Sequence, residues 1–169
     1  MLKPECGTVR VDNTDIEYDL EGWLKNIGYI PQSIFMLDGT IRDNVAFGYE
    51  EREIDDEKVW KALEEASLAE FVRNLPLQLD TQIGERGTRL SGGQRQRVGI
   101  ARALFGDPDV LVFDEATSAL DNETEKAIME SIEHLQGNKT MIIVAHRLTT
   151  IEGCDEIYRV MDGKVVRER

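Results

Sequence analysis

Thr88-Arg-Leu-Ser-Gly-Gly-Gln-Arg-Gln-Arg-Val-Gly-Ile-Ala-Arg-Ala-Leu104 is the stretch from which the rest of the chain is read. Two adjacent glycines run straight into a helical pattern. Val98, Ala101 and Leu104 recur at helical spacing, with Arg95, Arg97 and Arg102 around them. A Ser-Gly-Gly step that opens a helix leaves several backbone N–H groups unpaired beside the positive end of the helix dipole. That is an anion site, and phosphate is the obvious candidate. Taken alone, the step is more often a glycine turn before an ordinary amphipathic helix. The residues downstream decide against that.

At 169 residues the chain suits one domain with a sizeable core. Its 41% apolar and 31% charged residues are ordinary for a soluble globular protein. A net charge of −13 argues against a general nucleic-acid binder, which presents a basic face, and against adsorption to an anionic membrane. Cys6 and Cys154 lie far apart, without a Cys-x-x-Cys or a nearby His cluster, and read as free thiols in a reducing compartment. No apolar run approaches the roughly 18 residues of a membrane span. Pro4, Glu5 and Gly7 interrupt any signal-peptide core at the N-terminus. A soluble, cytoplasmic chain is expected.

Outward from the opening stretch, Thr8–Val11 alternates like a strand, with a turn at Asp12-Asn13. Asp19 is placed to cap a short helix through Leu20, Trp23 and Leu24. Ile27–Ile30 reads as a buried strand ended by Pro31 and followed by Gln32. Between Ser33 and Tyr49, Asp38-Gly39 marks a turn, and Ile41, Val45 and Phe47 are apolar anchors. Residues 50–57 are strongly acidic and suit a solvated helix entrance, with Asp55 as N-cap and Asp56 and Glu57 in the first turn. Val59, Ala62, Leu63 and Ala66 share one helical face, and a second short helix from Leu68 stops near Pro76. Met36, Met129 and Met141 read as packing residues. Val110-Leu-Val-Phe113 is a continuous apolar run, as in a parallel strand buried on both faces. Glu123–Leu135 is helical, with Ile128, Ile132 and Leu135 inward. Met141-Ile-Ile-Val-Ala145 reads as a second buried strand, and Asp162-Gly163 as the turn of a hairpin.

The two apolar strands release Asp114-Glu115 and His146 at their C-terminal ends, the edge where open α/β sheets bind ligands. An aspartate there can hold Mg²⁺, and a glutamate next to it can orient or deprotonate a water. Each signal alone is modest; their order is specific. Leu90-Ser-Gly-Gly-Gln94, the strand ending in Asp114-Glu115, Ser118-Ala-Leu-Asp121, and then Ala145-His146 follow one another, with Gln32 upstream. This set resembles the nucleotide-binding domain of ABC transporters across essentially the whole chain. Leu90–Gln94 matches the signature motif, Val110–Glu115 the Walker B motif, Ser118–Asp121 the D-loop, His146 the switch histidine and Gln32 the Q-loop glutamine. Residues 33–45 and Ile83-Gly-Glu-Arg-Gly87 look like the exporter subgroup.

The resemblance implies an α/β P-loop NTPase core with an inserted α-helical subdomain, incomplete at the N-terminus. Its division would be 1–35 as core with the Q-loop, 36–105 as helical subdomain ending in the signature helix, and 106–169 as core. It implies ATP and Mg²⁺ as cofactors. Asp114 would serve Mg²⁺ with Gln32, which would also sense the transmembrane partner and the γ-phosphate region. Glu115 would be the general base, and His146 would contact the γ-phosphate. Ser91, Gly92, Gly93 and Gln94 would reach ATP held by the opposite subunit, and Asp121 would lie across the dimer interface. The implied partners are a transmembrane domain and a second nucleotide-binding domain supplying Walker A, at the cytoplasmic side of the cell membrane, with no nucleic acid.

The phosphate-cradling Gly-x-x-x-x-Gly-Lys-Ser/Thr loop is absent: the only Gly-Lys pair, Gly163-Lys164, precedes Val165 inside the hairpin. In the family that loop precedes the segment matching residues 1–7, so the chain is expected to be the C-terminal two thirds of the domain. As a fragment it is expected to be poorly stable and inactive alone, with only its trans-acting residues usable against an intact partner. Two other readings stand beside this one. A non-transport ABC ATPase of DNA repair or translation is disfavoured by the short interval from Gln32 to Leu90 and by the acidic charge. A non-catalytic module docking on an intact subunit is favoured by the missing loop, although the other motifs are undegraded.

Overall fold

In the computed structural model the described residues are 4–116, 126, 128–130, 132, 135, 137–145 and 151–169. The chain begins with a small hairpin. β1 (Arg10–Val11) pairs antiparallel with β2 (Thr14–Asp15), and Asp12 and Asn13 both take positive φ, 48° and 66°. Two left-handed residues are what a two-residue hairpin turn of the right twist requires, and Asp and Asn tolerate them best among non-glycines. The Asp19 carboxylate then accepts from the Gly22 N–H at 2.9 Å and caps α1 (Leu20–Lys25), as its position in the sequence suggests.

Three parallel strands form the central sheet in the order β3-β4-β5: Ile27–Ile30, Val110–Asp114 and Thr140–Val144. Their register pairs Ile27 with Val110 and Val110 with Thr140, so Asp114 at the end of β4 falls beside Val144 at the end of β5. Asn26 fixes this register from one end. Its Nδ2 donates to the Asp109 carboxylate at 2.8 Å, and its Oδ1 accepts from the Asp109 N–H at 3.1 Å.

Among the described residues α5 (Gly92–Phe105) packs on β3, α2 (Ile41–Val45) and α3 (Asp56–Glu65) pack on α5, and α4 (Ala69–Arg73) packs on α3. Val59, Ala62, Leu63 and Ala66 are buried on α3, as their spacing predicts, and Ile41, Val45, Val98, Ala101 and Leu104 join them in one core. Complete burial of a Leu, Ile or Val stabilises by about 1.5–3 kcal/mol, so this face is what holds α3 and α5 together. The acidic entrance to α3 is more than a solvated cap. Asp55 does cap it, accepting from the Glu57 N–H at 2.9 Å, while Asp56 receives the Arg42 guanidinium at 2.7 and 3.0 Å. Arg42 also pairs with Asp80, tying α2 to both flanks, and its hydrogen bond to Asp56 holds that carboxyl below its ordinary value.

The sheet departs from expectation on one face. Met141–Ala145 reads as a buried strand, yet β5 alternates: Ile142 and Val144 are 52% and 47% exposed. Tyr29 on β3, in register with Val112 and through it with Ile142, is 54% exposed on the same side. Gly28, Ile30, Leu111 and Phe113 point to the other side and are buried. The apolar composition of the strands assumes cover on both faces, whereas α5 packs against one. Phe47 is likewise no buried anchor; at 44% exposure its ring lies beneath the Arg102 guanidinium, 4.8 Å from centroid to Cζ.

Residues Lys126, Ile128, Met129, Glu130 and Ile132 are helical, and Ile128, Ile132 and Leu135 are buried, as the periodicity predicts. Met36 is buried, and Met129 and Met141 pack against the core. β6 (Tyr158–Met161) and β7 (Lys164–Arg167) form the expected hairpin, with Asp162 and Gly163 at φ 49° and 71°. Among the described residues no helix is long and apolar enough to cross a membrane.

Candidate functional site

Gln32, Asp114 and Glu115 meet at the C-terminal edge of the sheet. β3 ends at Ile30, and Pro31 lacks the N–H that would continue the ladder, so the chain leaves the sheet just before Gln32. β4 ends at Asp114. The next residue, Glu115, turns sharply into the left-handed region at φ 49°, a conformation that costs a non-glycine residue about 1–3 kcal/mol. The Glu115 N–H donates to the Val144 carbonyl at 3.0 Å, which holds this turn against β5. Its side chain is thereby aimed across β4 toward β3. There the Gln32 Nε2 donates to its Oε2 at 3.0 Å.

Asp114 has a partner that sequence reasoning missed. The Tyr29 hydroxyl donates to Asp114 Oδ2 at 2.6 Å, diagonally between neighbouring strands, and this bond holds the phenol above its ordinary pKa. A signal for it exists in the register: a polar-tipped residue one position before the end of β3, paired with Val112, falls on the same face as Asp114. Asp114 is half-buried and brings one carboxylate to the site. Among the described residues no group of three or more His, Cys, Asp and Glu is arranged to hold a metal. A single carboxylate fits Mg²⁺ nonetheless, since that ion keeps several waters and takes one or two carboxylates together with substrate phosphates.

The Ser-Gly-Gly-Gln turn opens α5 with a capping box. The Ser91 Oγ accepts from the Gln94 N–H at 3.2 Å, and the Gln94 Oε1 accepts from the Ser91 N–H at 2.8 Å. Of the N–H groups expected to be unpaired, that of Gln94 is therefore satisfied by Ser91. Those of Gly92 and Gly93 remain at the helix start, with no acceptor among the described residues. Arg95 braces the turn from behind, its Nη1 donating to the Leu90 carbonyl at 2.6 Å. The bonds of Ser91 and Gln94 stay within their own turn, separate from the Gln32–Glu115 pair. This geometry suits an anion approaching from outside. Ser118, Asp121 and His146 lie outside the described residues.

The chain is similar to known proteins over nearly its whole length. A family profile described as ABC transporter matches residues 1–118. The chain is 46% identical over 161 residues to an ATP-dependent lipid A-core flippase of Shewanella frigidimarina, covering 95% of this chain and 27% of that protein. It is 40% identical over 164 residues to a multidrug resistance ABC transporter ATP-binding and permease protein of Lactococcus lactis, covering 96% of this chain and 28% of the relative. Among solved structures, a bacterial Atm1-family ABC exporter with ATP bound superposes with a TM-score of 0.83 at 37% identity, over 97% of this chain and 29% of that one. The chain thus spans little more than a quarter of the length of these relatives. With the signature turn, the carboxylate pair at the end of β4 and the Gln32 contact in place, the chain belongs to the ABC transporter family, as an ATP-binding domain of the exporter type.

Proposed function

We propose that this chain supplies the water-activating and signature parts of an ATP site that drives export across a membrane. The observation that supports this most is the Gln32–Glu115 hydrogen bond beside Asp114, at the edge where the β4 carboxylates are presented. In this reading Asp114, with Gln32, would hold Mg²⁺, which when bound would neutralise phosphate charge. Glu115 accepts a proton from the attacking water, and Gln32 fixes the rotamer from which it does so. His146 contacts the γ-phosphate. Ser91, Gly92, Gly93 and Gln94 present their donors to ATP held on a second nucleotide-binding domain, and Asp121 lies across that dimer interface. A transmembrane domain completes the assembly at the cytoplasmic face of the membrane.

Residues 1–169 contain no Gly-x-x-x-x-Gly-Lys-Ser/Thr loop, the element that cradles the β- and γ-phosphates and supplies most of the positioning in phosphoryl transfer. Alone, this polypeptide therefore neither binds ATP tightly nor hydrolyses it. The test uses a fluorescent ATP analogue titrated into purified 1–169, and into the Lactococcus lactis relative with its matching 28% replaced by residues 1–169. No saturation at micromolar analogue is expected for the first, and saturation for the second. Micromolar binding by 1–169 alone would overturn the claim that the phosphate cradle lies elsewhere.

A further inference from the structure

Arg102 is a half-buried guanidinium with no carboxylate partner among the described residues, and burial holds it below its ordinary pKa. A cation taken from water without a counter-ion is retained only where its donors are used well. Among the described residues its hydrogen bonds go to one segment. Nε donates to the Asn44 carbonyl at 2.8 Å, Nη1 to the Phe35 carbonyl at 2.8 Å, and Nη2 to Asn44 Oδ1 at 3.2 Å. The Phe47 ring lies under the same group. Asn44 itself is fully buried and closes the segment on itself: its Oδ1 accepts from the Leu37 N–H at 2.9 Å, and its Nδ2 donates to the Leu37 and Thr40 carbonyls.

A second contact joins the same two elements. A Cβ built at Gly99 would lie 2.5 Å from Ile34 Cδ1 and 2.8 Å from its Cγ1, so Ile34 rests directly on the backbone of α5. Ile34 and Phe35 are the second and third residues after Gln32. The helix that Ser91 opens therefore grips the stretch following Gln32 twice, once by close packing and once by a forked cation.

We propose that Arg102 is a positioning residue: through the Phe35 and Asn44 carbonyls it makes α5 and the stretch after Gln32 one mechanical unit, and so places the Gln32 amide on Glu115. A displacement of the Ser91 turn is then carried to the group that orients the base. The functional weight of this coupling rests on the ATP reading above, but the positional claim does not, and it can be tested on the chain without nucleotide. Lysine cannot replace the fork, because an ammonium is a point charge that cannot span both carbonyls and Asn44 Oδ1.

The experiment follows the ¹H–¹⁵N side-chain amide signal of Gln32 in residues 1–169 by NMR, assigned by its loss in Gln32→Leu. Glu115→Leu supplies the position of the signal without the Glu115 bond. In Arg102→Lys the signal is expected to move at least halfway to that position, and the Leu37 amide to exchange about tenfold faster. A Gln32 signal that stays at the wild-type position in a folded Arg102→Lys protein, with Leu37 exchange raised, would reduce Arg102 to a packing residue and overturn the proposal. So would a Gln32 signal indifferent to Glu115→Leu. If Arg102→Lys does not fold, Phe47→Leu loosens the guanidinium from an exposed position. There a partial shift of the same signal supports the proposal, and no shift contradicts it. None of these outcomes depends on ATP, so a failure here is distinct from a failure of the chimera to bind the analogue.

Discussion

The carboxylates at the end of β4 are held differently. Glu115 owes its direction to backbone, a left-handed turn fixed by the Val144 carbonyl, and to the Gln32 amide. Asp114 owes part of its orientation to the Tyr29 hydroxyl. Because that bond raises the phenol's pKa, its contribution is fully present below the ordinary tyrosine value of about 10 and is lost as pH rises through the elevated folded value. Tyr29→Phe is therefore expected to lower the urea midpoint slightly at pH 7 and to leave it unchanged once the pH exceeds that value. A difference that persists in strong alkali would mean that the hydroxyl acts by something other than donation to Asp114. At this scale the sequence was informative about residue types and silent about pairings. Asp114, Glu115 and Gln32 stand out by order and by position after apolar runs. Tyr29 and Arg102 do not, because their roles come from register between strands and from a helix face meeting a distant loop.

At the scale of elements, the contact of α5 with β3 and the loop after it is the joint that positions the site, and two glycines allow it. A Cβ at Gly28 would meet the Ala103 carbonyl at 2.6 Å and Leu111 Cδ2 at 2.7 Å, a backbone atom and a fully buried side chain. At Gly99 the obstacle is the half-buried Ile34 side chain, which can give way. Overpacking costs about 1–3 kcal/mol, while Gly to Ala inside a helix returns about 1 kcal/mol. Gly99→Ala is then expected to lose on the order of 1 kcal/mol net. Gly28→Ala, with no helical gain and a carbonyl that cannot move, is expected to lose about 3 kcal/mol or more. Urea unfolding of both variants checks the order, and Gly99→Ala proving the more damaging would contradict this account of the joint. Most helices were legible: Asp19 and Asp55 cap where local chemistry places them, and the α3 and α5 faces bury the residues their period picks out, whereas α2 lies in a stretch that reads only as a turn with apolar anchors.

For the whole molecule, the parallel strands and the core between sheet and α5 follow from apolar runs separated by helical periods, while the order β3-β4-β5 is set by pairings the pattern does not encode. What the apolar pattern could not distinguish is whether a strand is covered on one face or on both. Ile142 and Val144 have the composition of a buried strand and stand on an open face with Tyr29. Composition reports what a strand can bury, and burial depends on which elements are present to cover it. The chain spans little more than a quarter of the length of the relatives compared above, so the proposed ATPase role is tested in a full-length relative.

That reading stands on Glu115. The direct test is ATP hydrolysis by the Lactococcus lactis relative carrying residues 1–169 in place of its matching segment, compared with the same protein bearing Glu115→Gln. The account predicts sustained turnover in the first and a loss of about 10²–10⁴-fold in the second, the usual contribution of a general base, with binding of the ATP analogue retained. Turnover in Glu115→Gln equal to that of the parent chimera would contradict it.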